Sequence, residues 1–246
     1  MDQILGFALK IKGMLDLRVF GEAVVGGRAV SIRGFSGIET KRFAFLRTFL
    51  SYPYTIATSQ PLTGPVLDEI KGGFRRGEIA LTYPHPLSVL SLPSPVVRRD
   101  RKYHKERRRL IRRAEERSEV VRKVPFEGFY TLYSRTAKGH GRRPIPRERM
   151  ERIYPMEGVD VVGVEVDGVL SGAIMSLALP DRYLLWQMGW RGPSFLPTYL
   201  LHLALEMGFD RGYDLVDLGI SPSPASLKLK YEMGGDPERR VFVIRW

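Results

Sequence analysis

Between residues 98 and 152 the chain carries 20 lysines and arginines against 8 acidic residues, while the remainder holds 19 of each sign, so the whole excess of +12 sits in one stretch. Arg108, Arg109, Arg112 and Arg113 lie at its centre. A guanidinium is a planar fork that grips a phosphate or carboxylate through two parallel hydrogen bonds, so the cluster suits a polyanionic ligand. The competing reading is a solvated basic helix that helps thermal stability. His140, flanked by glycines in KGHGRR, is either a general base or an exposed loop histidine. Asp217 and Ser221 flank the end of the apolar run LVDLGIS, and mixed sheets place ligands at strand ends. Turn and cap chemistry is the alternative there, with Asp217 paired to a neighbouring arginine. Tyr183, Trp186, Trp190 and Tyr199 line a groove or fill the core, and His202 inside LLHLALEM reads as a core residue.

Other chemistries find no support. The chain has no cysteine and four histidines, which removes disulfides, thiol nucleophiles and thiolate-bound metals; no metal site is expected. Neither a Ser/His/Asp arrangement nor a pair of carboxylates at hydrolase spacing is visible. No apolar run approaches the roughly 20 residues of a membrane helix, and the start MDQILGFALKIKG is interrupted too soon to be a secretory signal. The expectation is a soluble, cytoplasmic protein. Asparagine is absent and glutamine occurs only as Gln3, Gln60 and Gln187, a depletion of heat-labile side chains that points to a thermophilic source.

The elements that must position these residues follow from periodicity and turn chemistry. Residues 15–34 predict two strands around Gly26-Gly27, and 41–50 a short helix. A helix over 65–76 and a strand at 78–83 come next, followed by extended chain at 84–97, where four prolines mark a domain boundary. Residues 101–119 predict a basic helix docked by a narrow stripe of Tyr103, Leu110, Ile111 and Ala114. After it come a strand at 120–124, a helix over 125–139 with Phe129, Leu132 and Tyr133 inward, and a second helix after Pro146. Three strands then follow without a helix, at 159–167, 169–179 and 182–190, the first two joined by Asp167-Gly168, a two-residue hairpin turn. A helix from Pro197, a strand around 214–220, a short helix stopped by Gly234-Gly235 and a strand at 239–246, expected beside that meander, complete the order. The fold class is mixed α/β, with a partly antiparallel sheet flanked by helices.

That order, together with particular residues, resembles the FemAB-like branch of the GNAT acyltransferase superfamily, which includes the Fem peptidyl transferases. Members of that branch tend to show a basic helix, here with Arg112, Arg113 and Ala114. They also show a helix of the form FY-x-LY-x-x-T-x-x-x-x-G, here Phe129, Tyr130, Leu132, Tyr133, Thr136 and Gly141. A D-x-G-x-S strand end follows, here Asp217, Gly219 and Ser221, and a closing lysine with a glycine four residues on, here Lys230 and Gly234. The likeness covers roughly residues 100–240. It implies a reduced N-terminal lobe over 1–97, a GNAT-like domain over 98–246, and transfer of an acyl or aminoacyl group to an amine, with aminoacyl-tRNA or another polyanion as donor. It also implies a catalytic set of Lys230, Asp217 and Ser221, with Lys230 steadying negative charge on the attacked carbonyl or on a ligand phosphate. The substrate would be bound by Arg108, Arg109, Arg112, Arg113, Tyr133, His140 and Trp186. Without the resemblance, Lys230 reads as an exposed lysine favourably placed at a helix C-terminus. Coenzyme A users of the superfamily carry a Q/R-x-x-G-x-G/A loop whose amides hold pyrophosphate. This chain has GWRGPSFLP instead, with two prolines that donate no N–H, so no cofactor is expected. The alternative is a catalytically inactive GNAT-like module that binds RNA or another anion.

Overall fold

Asp167 and Gly168 both adopt positive φ, 53° and 73°, in a computed structural model of the chain. The tight hairpin they form pairs Val166 with Val169, joining β7 (Val159–Val166) to β8 (Val169–Ala178). Two positive φ values are what a two-residue turn of the primed type demands, which is why Asp-Gly forms it. The structure describes residues 14–16, 19–20, 23, 95–100, 102–179, 182–219, 221 and 223–236, together with the backbone of the strands at 28–32, 35–41, 47–51, 88–93 and 240–245. By its internal contacts the chain divides into two compact units, Met1–Asp16 with Ser94–Glu238, and Leu17–Pro93 with Arg239–Trp246.

In the smaller unit, β1 (Arg28–Ile32), β2 (Phe35–Lys41) and β3 (Arg47–Ser51) form an antiparallel sheet in that order, and β4 (Ser88–Pro93) pairs antiparallel with β11 (Arg240–Arg245). Three expectations are corrected here. The first hairpin runs over 28–41 rather than 15–34: Val19, Phe20 and Ala23 are helical, and Phe20 and Ala23, at i and i+3, are buried while Val19 is exposed. Residues 47–51 are a strand, since TFL is β-favouring once a partner strand is present. The closing strand joins β4, not the meander. The expected helix at 65–76 and strand at 78–83 lie outside the described residues.

The larger unit is built on a six-stranded sheet of order β5-β10-β9-β8-β7-β6, comprising β5 (Val96–Arg98), β6 (Glu119–Val121), β7, β8, β9 (Tyr183–Trp190) and β10 (Leu215–Asp217). All neighbours are antiparallel except β10 and β9. On one face lie α1 (Lys105–Glu115) and α4 (Leu196–Asp210), sharing a core with the sheet in which Leu200, Ala204 and Leu205 are fully buried. Each such leucine stabilises the fold by about 2 kcal/mol. Ile111 and Ala114 are the buried residues of α1 and Tyr103 and Leu110 flank them, the narrow stripe expected. The opposite face carries α2 (Phe126–Gly139), which buries Phe129, Leu132, Tyr133, Thr136 and Ala137 at i, i+3, i+4, i+7 and i+8. It comes so near β9 that a Cβ on Gly189 would stand 2.3 Å from both Leu132 C and Tyr133 N. Beside α2 lies α3 (Arg147–Ile153), and α5 (Pro224–Glu232) closes the unit. Among the described residues no helix is long and apolar enough to cross a membrane.

Candidate active site

Strands β9 and β10 run side by side for two residue pairs only, Tyr183 with Val216 and Leu184 with Asp217. On β10 the chain then turns at Gly219, with φ 73°, where a Cβ would stand 2.9 Å from the Leu185 carbonyl oxygen. Only glycine meets both demands without strain. On β9 the register slips: Gln187 opposes Met175 and Leu185 opposes Ser176, which leaves Trp186 as the extra residue of a β-bulge. Bulges re-aim side chains and are over-represented beside active sites.

Lys230 meets this strand end from α5, a helix begun by Ser223, whose hydroxyl accepts from the Ser226 amide, and by Pro224 at its first position. Far from being a surface lysine, it is 9% exposed, and its ammonium donates to the Gly219 carbonyl at 2.8 Å. Burial pushes its pKa down to about 8, against the opposing pull of the Asp217 carboxylate. Asp217 is 2% exposed; its Oδ1 accepts from the Gly219 N–H at 2.8 Å, and its Oδ2 lies 3.2 Å from Nε of Arg182, also buried. Ser221 is 6% exposed, and its hydroxyl has no hydrogen-bond partner among the described residues. A buried hydroxyl left unsatisfied costs about 1–3 kcal/mol, so its presence calls for a ligand or a functional reason. Ser223, not Ser221, is the cap of α5, while the pairing of Asp217 with an arginine is real and the partner is Arg182.

Asp217, Ser221 and Lys230 therefore converge at one strand end, with the bulged Trp186 following Leu185 there. Tyr133 and His140 do not join them. Tyr133 lies in α2 on the opposite face, where its phenol, lifted in pKa by burial, accepts from the Ile145 amide at 2.9 Å and pins the loop after the helix. His140 is exposed at the C-cap of α2, its ring 6.1 Å from that of Trp190. Arg108, Arg109, Arg112 and Arg113 all project from the exposed face of α1. Arg109 also meets Glu106 at 2.8 Å.

Sequence reasoning passed over Arg107 and Arg182. Arg107 donates to Glu232 from Nε at 2.8 Å and Nη2 at 2.5 Å, and from Nη1 to the Thr198 hydroxyl at 3.0 Å. It ties α1 to the end of α5 and the start of α4, and its hydrogen bonds hold the Glu232 carboxyl below the ordinary range. Nothing distinguishes it in sequence from the four other arginines of α1. These contacts bear on coenzyme A, the donor that acetyl-transferring members of the superfamily use. Of the first amides of α4, that of Leu196 donates to the Pro193 carbonyl and Pro197 has none, while the Arg107 guanidinium lies 3.0 Å from the Thr198 hydroxyl. A pyrophosphate is held at such a helix start by free amides, and two of those positions offer none.

None of the curated proteins compared with the chain matches it in sequence. Among solved structures, FemX is similar with a TM-score of 0.62 at 11% identity, over 99% of this chain and 96% of that one. The C-terminal domain of a putative lysylphosphatidylglycerol synthetase from Agrobacterium fabrum gives 0.61 at 12% identity, over 99% and 92%. L-PGS from Bacillus licheniformis gives 0.58 at 10%, over 99% and 90%. At such identities the likeness is one of fold, and it agrees with the FemAB-like resemblance carried by the motifs. The acetyltransferase (GNAT) domain family matches residues 98–228, more than half of the chain. With the splayed β9–β10 pair and the meander before it, this match makes the chain a member of the GNAT acetyltransferase-domain family.

Proposed function

We propose that the chain is an acyltransferase that moves an aminoacyl group from a polyanionic donor, aminoacyl-tRNA, to an amine. The observation that carries the reading is the buried Lys230 ammonium near Asp217 and a Ser221 hydroxyl without a hydrogen-bond partner among the described residues, where β10 leaves β9. A lysine so buried is costly, and family membership supplies a reaction in which a fixed cation is useful. In that reaction the amine nitrogen attacks the ester carbonyl of the donor, and a C–N bond forms as the carbonyl oxygen takes negative charge. The C–O bond to the donor then breaks, and the leaving hydroxyl takes the proton that the amine gives up. With its pKa near 8, Lys230 is about nine-tenths charged at pH 7 and would steady the oxyanion; Ser221 would orient the acceptor. The exposed arginines of α1 would hold donor phosphates. Two fold neighbours support the aminoacyl reading: FemX, and a putative lysylphosphatidylglycerol synthetase whose product by name carries a lysyl group.

The test is to purify the chain with bound RNA, read the identity and acylation of any tRNA, and assay transfer from it to added amines. Transfer should fall at least about 100-fold in Lys230→Ala, while Arg98→Ala, at the exposed end of β5, should change it little. Bound tRNA without transfer to any amine would favour the inactive RNA-binding module, whose arginine face is the same. Absence of bound RNA would remove the tRNA donor.

A further inference from the structure

We propose that the turn between α2 and α3 is a second binding site, for an unpaired stretch of RNA: bases stack on His140 and Trp190 while Arg142, Arg143 and Arg191 hold the phosphates. The inference deepens the reading of an RNA-borne donor and rests on it for which RNA is bound.

The main chain of this turn is held at both ends. Gly141, with φ 67°, donates its amide to the Lys138 carbonyl at 2.9 Å, and the Arg142 amide donates to the Ala137 carbonyl at 2.9 Å. Further on, Ile145 is clasped at both its polar groups: its N–H donates to the Tyr133 hydroxyl at 2.9 Å, and its carbonyl accepts from the Tyr130 hydroxyl at 3.0 Å. Pro144 and Pro146 fix φ on either side of it. Arg142 and Arg143 are thus displayed between two anchors, and a ligand that meets them pays little for ordering the loop. Both are exposed, and neither side chain makes a hydrogen bond or ion pair among the described residues. No acidic residue lies between Glu127 and Glu148, and Glu127 is drawn off with Glu151 by Arg147. Neighbouring cations without counter-charge repel each other, and an anion relieves them.

Aromatic rings stand beside these charges. Thr136, one turn before the end of α2, accepts from the Trp190 amide at 3.1 Å, which brings the end of β9 to the turn. There the ring of half-buried Trp190 lies 6.1 Å from that of exposed His140, and exposed Arg191 follows. A plain polyanion makes no use of rings, whereas unpaired bases stack on them as cations track the backbone. The position also suits a donor. Lys230 grips Gly219, which packs on the Leu185 carbonyl, and the stretch of β9 from Leu185 to Trp190 covers about 15 Å, a span that a few unpaired nucleotides bridge. The arginine helix reaches the same end of the sheet, since Arg107 donates to Thr198 in the first turn of α4, the helix that follows Trp190.

The experiment is fluorescence anisotropy with the full chain and a labelled short single-stranded RNA that carries no aminoacyl group, titrated across salt concentrations at about pH 8, where an ordinary histidine is neutral. Arg142→Gln/Arg143→Gln should flatten the plot of log affinity against log salt by about 1.4, two phosphates of a single strand at roughly 0.7 each. Trp190→Leu should weaken binding by about fivefold or more, the low end for one stacked base, at an unchanged slope. Should Trp190→Leu fail to fold, His140→Ala, at an exposed position, must show the same signature. Arg152→Gln, which removes an exposed charge of α3, should leave affinity and slope nearly unchanged. A duplex of the same length should bind more weakly, and a nucleoside diphosphate should compete only in large excess. A slope untouched by the double arginine variant, ring variants without effect, or equal affinity for duplex and single strand overturns the inference. So does displacement by a nucleoside diphosphate without excess, which would name a free nucleotide as the occupant. The probe keeps this test apart from the transfer assay: binding with these signatures but no transfer from aminoacyl-tRNA sinks the aminoacyl reading alone, and transfer whose KM is unmoved in Arg142→Gln/Arg143→Gln sinks this site alone.

Discussion

Asp217 and Lys230 grip the two polar ends of one residue, Gly219: the carboxylate accepts from its N–H and the ammonium donates to its carbonyl, each at 2.8 Å. Two charged groups of opposite sign are thereby brought to the end of β10, where the two parallel strands part.

Such a lysine is a burden on the fold at neutral pH. Its folded pKa of about 8 lies below the ordinary 10.5, so between these values the unfolded chain binds a proton that the folded one sheds, and stability rises with pH across the window. Below about pH 8 the penalty is present in full, on the order of 3 kcal/mol. Lys230→Met should therefore abolish transfer yet stabilise the chain at pH 7 by about 2 kcal/mol, after allowing for the lost hydrogen bond. By about pH 10 the difference should fade. Urea unfolding at the two pH values checks this; a Met variant less stable at pH 7 would contradict it.

Ser221→Ala should behave in the same spirit. Because its hydroxyl is buried without a partner among the described residues, removing it should cost no stability and gain up to about 1 kcal/mol. Substrate affinity should fall by about five- to tenfold, the worth of one hydrogen bond. Thermal unfolding and a binding isotherm on the same variant supply the two readouts.

The arginine face makes a separate prediction. Replacing Arg108, Arg109, Arg112 and Arg113 together by glutamine should leave stability nearly unchanged, since all four are exposed. It should flatten the plot of log affinity for tRNA against log salt by up to about 3, as counterion release from four phosphates is lost. An unchanged slope would move the anion-binding surface elsewhere.

Gly189→Ala tests the contact between α2 and β9. Its Cβ would meet main-chain atoms of Leu132 and Tyr133 at 2.3 Å, and because backbone cannot rotate aside, the cost should reach about 3 kcal/mol or more. At Gly139, the last residue of α2, nothing lies within 4 Å of such a Cβ, and alanine there should be neutral or stabilising by up to about 1 kcal/mol. Chemical denaturation of both variants distinguishes the two environments.

How much of this was legible depends on how local the signal is. The Asp167–Gly168 turn, the stripe of Ile111 and Ala114, and the i, i+3, i+4 pattern of α2 are written in neighbouring residues and appear in the structure as read. The pairing of β4 with β11 joins residues about 150 positions apart, and no local pattern encodes it. For the same reason VVGGRAV looked like half of a hairpin until β2 supplied the true partner of β1. At the site, the motif spacing brought Asp217, Ser221 and Lys230 to notice, but not that Lys230 is buried; a lysine in a polar-looking short helix gives no sign of it. Arg182 and Arg107 were hidden among other arginines, because what sets them apart is a carboxylate brought near by folding. Tyr133 belongs to the family motif and His140 to the loop beside it, but both lie with α2 on the other face of the sheet.

Glu232 has one further consequence. Its carboxylate is clasped by Arg107 and its carbonyl accepts from the His104 amide at 2.8 Å, and it stands two residues beyond Lys230 on the same helix. The helix that displays the arginines and the helix that carries the buried lysine are thus pinned together at one shared residue, and the separation between their charges is set by rigid main chain instead of by a hinge. Were one ligand to engage both ends, such a frame would act as a ruler, selecting it by its span and refusing one with the right chemistry but the wrong length.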